Sequence, residues 1–142
     1  MRKNLQFIIV DDDPLNNMLC TYMIEKTLNT DRVLAFTLPV EALAFIQTTY
    51  NASSDPTILL LDINMPMING WEFLDKYDDF SVEIKNRIII YLLSSSIYHV
   101  DISRAAAHKN VKDFITKPLD QETTLMIAGS WTQNPNIGEP GK

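Results

Sequence analysis

The sequence predicts an α/β fold built on a doubly wound, five-stranded parallel sheet. Two observations predict it. Strand and helix signals alternate along most of the chain, and the strand segments are mostly continuous apolar runs rather than alternating apolar with polar. A strand with no polar face is buried on both sides, as in a parallel sheet between two helical layers. Right-handed crossovers then wind the chain over both faces.

The elements follow in order. Leu5 to Val10 is a short apolar run rich in β-branched residues, and it stops at Asp11. Asp13 followed by Pro14 is a helix start, a cap oxygen before a residue with no N–H to satisfy. Leu15, Met18, Leu19, Tyr22 and Met23 then recur at helical spacing as one apolar stripe. Val33 to Phe36 reads as the second strand. A second helix opens at Thr37 and Pro39 and is expected to turn Val40, Leu43, Ala44 and Ile46 inward. A polar break at Ser53 to Pro56 precedes the third strand, Thr57 to Leu61, which ends at Asp62. Asn69-Gly70 is a turn, and Phe73, Leu74 and Tyr77 mark a third helix. Ile88 to Leu93 is the strongest strand signal and runs into Ser94, Ser95 and Ser96. A fourth helix is expected from about His99 to His108, and a fifth strand from Val111 to Ile115. A last helix starts near Asp120 and fades around Trp131. The domain therefore covers 1–131, and the polar tail 132–142 is expected to be disordered.

Composition narrows the function. The chain has 142 residues, a usual length for one domain, and 46% of them are hydrophobic. Cys20 is the only cysteine, so no internal disulfide forms and a reducing compartment is expected. The net charge of -6 and pI of about 4.7 speak against nucleic acid as a direct partner. The first apolar run is too short for a membrane span and lacks a cleavage site, so the expected location is the cytoplasm, with no membrane partner.

The strand ends carry the chemistry. In open α/β sheets, ligands bind beyond the carboxyl ends of the strands. Here the first strand ends in Asp11, Asp12 and Asp13, the third in Asp62, the fourth in Ser94, and the fifth next to Lys117. Carboxylates gathered at one edge repel unless a hard cation such as Mg²⁺ joins them through oxygen ligands. Carboxylate nucleophile, metal, one lysine and one hydroxyl together suit phosphoryl transfer.

The stretches Val10-Asp11-Asp12-Asp13-Pro14, Leu61-Asp62-Ile63-Asn64-Met65-Pro66, Asn69-Gly70, Leu93-Ser94-Ser95 and Lys117-Pro118 stand in order at matching spacing. Together they resemble the response-regulator receiver domain of two-component signalling, in its stand-alone, chemotaxis-regulator-like form, over roughly residues 4 to 130. The resemblance implies a flavodoxin-like receiver fold with strand order 2-1-3-4-5. It implies Asp62 as phosphoacceptor, with Asp62, Asp12, the backbone carbonyl of Asn64 and, through water, Asp11 holding Mg²⁺. Ser94 and Lys117 would contact the phosphoryl group, and Ser94 with Phe114 would form the switch. Asp62, Lys117 and Ser94 would be the catalytic set. The resemblance also suggests a cis Lys117–Pro118 peptide.

Two departures stand out. Ser95 adds a second hydroxyl where a small residue is common, so it competes with Ser94 for the switch position; Ser94 is preferred because it directly follows the apolar strand. The segment around Lys109-Asn110-Val111 is about one residue longer than the family pattern.

Plainer readings stand beside these. Asp13 reads as a helix cap only. Cys20 reads as packing, His99 and His108 as solvated, Trp71 as a partly exposed packing residue, and Phe114 equally as plain core. Three alternatives compete with a phosphorylation switch. A haloacid-dehalogenase-type phosphatase needs a second acid two residues past its nucleophile, where Asn64 stands. A pseudo-receiver would usually have lost an acid or the lysine. A receiver cut from a hybrid kinase fits less well with the start at Met1. The expected protein is a phosphoacceptor rather than an enzyme, able at most to catalyse its own phosphorylation and slow dephosphorylation. Its expected partners are a sensor histidine kinase or histidine phosphotransfer protein and a downstream protein, with a monomer or weak dimer as the unit.

Overall fold

The computed structural model of the protein describes residues 4–95 and 99–133; Ser96 and most of the expected tail lie outside them. The chain runs β1 (Gln6–Val10), α1 (Pro14–Leu28), β2 (Val33–Phe36), α2 (Pro39–Thr49), β3 (Thr57–Asp62), α3 (Gly70–Asp78), α4 (Val82–Lys85), β4 (Ile88–Ser94), α5 (His99–Ala107), β5 (Val111–Thr116) and α6 (Gln121–Ala128). A 3-10 turn over Gly129–Gln133 follows α6. The five strands form one parallel sheet in the order β2-β1-β3-β4-β5, as the resemblance implied. One-turn α4 was not foreseen; it is set by Ser81, whose hydroxyl accepts from the Ile84 N–H.

The central strands explain the continuous apolar runs. Every residue of β3 and β4 is buried. Alternate residues of these strands feed two separate cores. Ile8, Val10, Leu59, Leu61 and Leu92 pack on one face with α2, α3 and Ala105 of α5. Phe7, Ile9, Leu60, Tyr91 and Leu93 pack on the other with α1 and α6. Trp131, which the sequence placed where the last helix fades, is only 1% exposed and donates its indole N–H to the Thr57 carbonyl at 3.1 Å. It closes the end of the sheet opposite the strand carboxyl ends.

Two helices are turned differently from the sequence reading. In α1 the inward residues are Asn17, Cys20, Ile24 and Leu28, while Leu15, Met18, Leu19 and Tyr22 are 53–64% exposed. The helix start fixes this phase. Asp13 caps α1 by accepting from the Leu15 N–H, and the short loop before it leaves Asn17 facing the strand ends. There the Asn17 amide donates to the carbonyls of Asp11 at 2.9 Å and Phe36 at 3.4 Å. The apolar stripe is real, but it points at solvent. In α2, Leu43 and Ile46 are buried as expected, yet Val40 and Ala44 are exposed and Ala42 takes their place. Buried Pro39 at the first helical position sets that face, and no side chain caps this helix, so Thr37 has no capping role.

The extra residue before Lys117 is absorbed inside β5. Ile90 is level with Val111 and Tyr91 with Asp113, so Lys112 is a bulge on the edge strand. Beyond it the register resumes, with Leu92 beside Phe114 and Ser94 beside Thr116.

Candidate functional site

The carboxyl ends of β1, β3 and β5 bring their polar residues together. Asp11, Asp12 and Asp62 each place a carboxylate oxygen within 4.8 Å of the others. The Lys117 ammonium lies 2.7 Å from Asp11 and 3.2 Å from Asp62. Asp11 is fully buried and Asp62 nearly so, whereas Asp12 is exposed. One cation among several acids leaves surplus negative charge. Burial, then repulsion from Asp11, pushes the Asp62 carboxyl up to about 6, with Lys117 opposing both. Burial alone would lower the Lys117 ammonium, but Asp11 and Asp62 hold it above its ordinary value.

Asp11 is fixed by several donors besides the lysine. One of its oxygens accepts from the Asp13 N–H at 2.9 Å, and the other from the Asn16 amide at 2.7 Å. Asn16 was missed in the sequence; its signal was its place in the first turn after a capping Asp-Pro. Asp13 serves as the helix cap, and Cys20 lies beneath the cluster, where burial and then Asp11 push its thiol up to about 11.

Ser94 ends β4 one residue past the partner of Asp62, is buried, and accepts the Lys117 N–H on its carbonyl at 2.8 Å. Ser95 is exposed. Phe114 is half-buried against the core shared with α3, on the same sheet face as Ser94. Asn64 is exposed two residues beyond Asp62. The Lys117–Pro118 peptide is cis, as the resemblance suggested.

Gly70 was read as a turn, and it is the first residue of α3, capped by Asn69 with a reciprocal bond from Glu72. Its N–H donates to the Ile63 carbonyl at 2.8 Å. A methyl group there would sit 2.8 Å from the Asp62 carbonyl oxygen and 2.9 Å from Ile63 Cα, both backbone atoms. Gly70→Ala is therefore expected to cost about 1–3 kcal/mol and to displace the backbone that carries Asp62. Urea unfolding checks the first effect, and an Ala variant as stable as wild type would contradict it.

Residues 7–128 match the response regulator receiver domain family. The chain belongs to that family. Its fold is shared with a two-component response regulator from Cytophaga hutchinsonii at TM-score 0.85, with 32% identity over 94% of this chain and 100% of that one. A receiver protein from Dyadobacter fermentans aligns at TM-score 0.83 with 27% identity, covering 90% and 98%. In sequence the receiver is 26% identical over 114 residues to the protein-glutamate methylesterase/protein-glutamine glutaminase of Yersinia pestis, spanning 80% of this chain but 30% of that protein. It is 33% identical over 73 residues to the nitrate/nitrite response regulator NarL of Escherichia coli, covering 51% of this chain and 32% of NarL. The chain thus spans about a third of the curated relatives it matches. The receiver is a signalling domain of the two-component type, and no helix among its described residues is long and apolar enough to cross a membrane.

Proposed function

We propose that this receiver is a phosphorylation switch that accepts a phosphoryl group on Asp62 from the phosphohistidine of a histidine kinase or histidine phosphotransfer protein. One observation carries the reading: three carboxylates converge within 4.8 Å, and one lysine lies 2.7 Å from Asp11 and 3.2 Å from Asp62. The Asp62 oxygen attacks phosphorus as the P–N bond to the donor imidazole breaks. A P–O bond forms, and the imidazole keeps the bonding pair and takes a proton. Lys117 would neutralise the phosphoryl oxygens, and the hydroxyl of Ser94 would hydrogen-bond one of them. The donor set is all oxygen, which suits a hard divalent cation. Mg²⁺ held by Asp12, Asp62 and the Asn64 carbonyl, with Asp11 acting through water, would offset charge on the group in transfer.

Drawing Ser94 inward would let Phe114 turn behind it, and this pair is the proposed switch. The outward apolar stripe of α1 starts at Leu15, three residues from Asp12, and gives the phosphodonor a surface to land on. Output then comes from phosphorylation-dependent protein binding or from relay to another histidine. Incubation with acetyl phosphate and Mg²⁺ is expected to add one phosphoryl group that hydroxylamine removes. No labelling with Mg²⁺ present, or equal labelling in EDTA, would overturn the reading.

A further inference from the structure

We propose that Trp71, gripped by Arg104 and His108, carries the state of Asp62 to α5, by a route separate from the Ser94–Phe114 pair. This rests on the phosphoacceptor reading of Asp62. Trp71 is the second residue of α3, directly after the glycine that packs on the Asp62 and Ile63 backbone. Gly70 leaves no slack there, since even a methyl group would collide with the Asp62 carbonyl at 2.8 Å. A rearrangement of the backbone at Asp62 must therefore move the first turn of α3 and Trp71 with it.

Trp71 is buried in the core, with 7% exposure, and two polar side chains from beyond α3 also meet its ring. The Arg104 guanidinium lies over the ring at 4.2 Å from its centroid, well within cation–π range. The His108 ring stands 6.4 Å away at 37°. Arg104 stands in the last turn of α5 and His108 directly follows the helix, and both meet the indole. The Asn110 N–H donates to His108 Nδ1 at 3.2 Å and fixes that ring. At the far end of α3, Asp78 holds Lys109 at 3.1 Å and the Asn110 amide at 3.1 Å. The loop after α5 is thus pinned to the last turn of α3, while Arg104 meets the first turn. A shift of Trp71 against that pinned end would tilt α5, and a two-state tilt biased by one contact is a switch.

The test uses ¹⁵N-labelled protein titrated with Mg²⁺ and beryllofluoride, a phosphoryl mimic for a carboxylate. In wild type, the Trp71 indole N–H and the amides of Ile102 to Ala107 are expected to shift as Asp62 saturates. Trp131, which lies at the other end of β3, serves as the internal reference. Arg104→Met keeps the packing and removes the cation; it should saturate normally at Asp62, with the α5 shifts cut to less than half. Arg104→Lys, which restores a cation over the ring, should recover most of them, a rescue that a purely structural role would not show. Equal α5 shifts in Arg104→Met, a stationary Trp71 indole, or no rescue by lysine would each overturn the proposal. If no amide around Asp62 responds in wild type, the phosphoacceptor reading itself falls, and this proposal with it.

Discussion

Asp62→Asn is expected to take up no phosphoryl group from acetyl phosphate under conditions that label the wild type fully. The amide keeps the shape of the side chain but has no carboxylate oxygen to form the acyl phosphate. Asp11 does not substitute for it, because Asp11 is fully buried and bonded to Lys117, Asn16 and the Asp13 N–H. Lys117→Ala tests the other half of the pair. Losing a preorganised cation beside developing charge costs about 10²–10³ in rate, so its labelling should fall by that factor while Asp62 remains present. Intact-protein mass spectrometry over time reads both variants. Full labelling of Asp62→Asn would move the phosphoacceptor elsewhere, and wild-type rates in Lys117→Ala would make the lysine a structural counter-ion only. Both variants need a folding check, since removing one partner of a buried ion pair can itself destabilise.

Much of this arrangement was legible in the sequence, for a physical reason. A strand buried on both faces leaves an unbroken apolar run, so its end is marked by the first polar residue. Asp11, Asp62 and Ser94 each announced themselves that way. The phase of the surface helices was not legible. An apolar stripe identifies a helix but does not say which side faces the sheet. In α1 the phase was set by the Asp13 cap and by two amides reaching back to the strand ends, and Leu15, Met18, Leu19 and Tyr22 were left outside. Trp71 was read as partly exposed and His108 as solvated because their partner elements lie far away in sequence. Trp71 is buried, and half-buried His108 packs beside it. The extra residue near Lys109 was detectable as a length, but only strand pairing assigns it to a bulge at Lys112.

The metal-free protein should lose stability as pH rises through about 6, and Asp62→Asn should remove that loss. In the folded state burial and the Asp11 charge push the Asp62 carboxyl up to about 6, against a value near 4 when unfolded. A folded-state value above the unfolded one means that the folded protein binds the proton more tightly. The contribution is therefore fully present below about pH 4 and is lost as pH rises through about 6. That difference in proton affinity corresponds to roughly 3 kcal/mol, and the contact with Lys117 that the substitution weakens reduces the net gain to about 1–3 kcal/mol. Melting curves in EDTA at pH 4.5 and pH 7 are the measurement. The gap between Asp62→Asn and wild type should be small at pH 4.5 and widen at pH 7, while carboxylates remote from the Asp11–Asp62–Lys117 cluster behave alike in both proteins and cancel. Adding Mg²⁺ at pH 7 should raise the wild-type midpoint more than that of the variant, because ligand binding stabilises only the state that binds it. A gap that stays constant with pH would show that the charge on Asp62 is already offset without a metal, and that Lys117 alone balances the cluster.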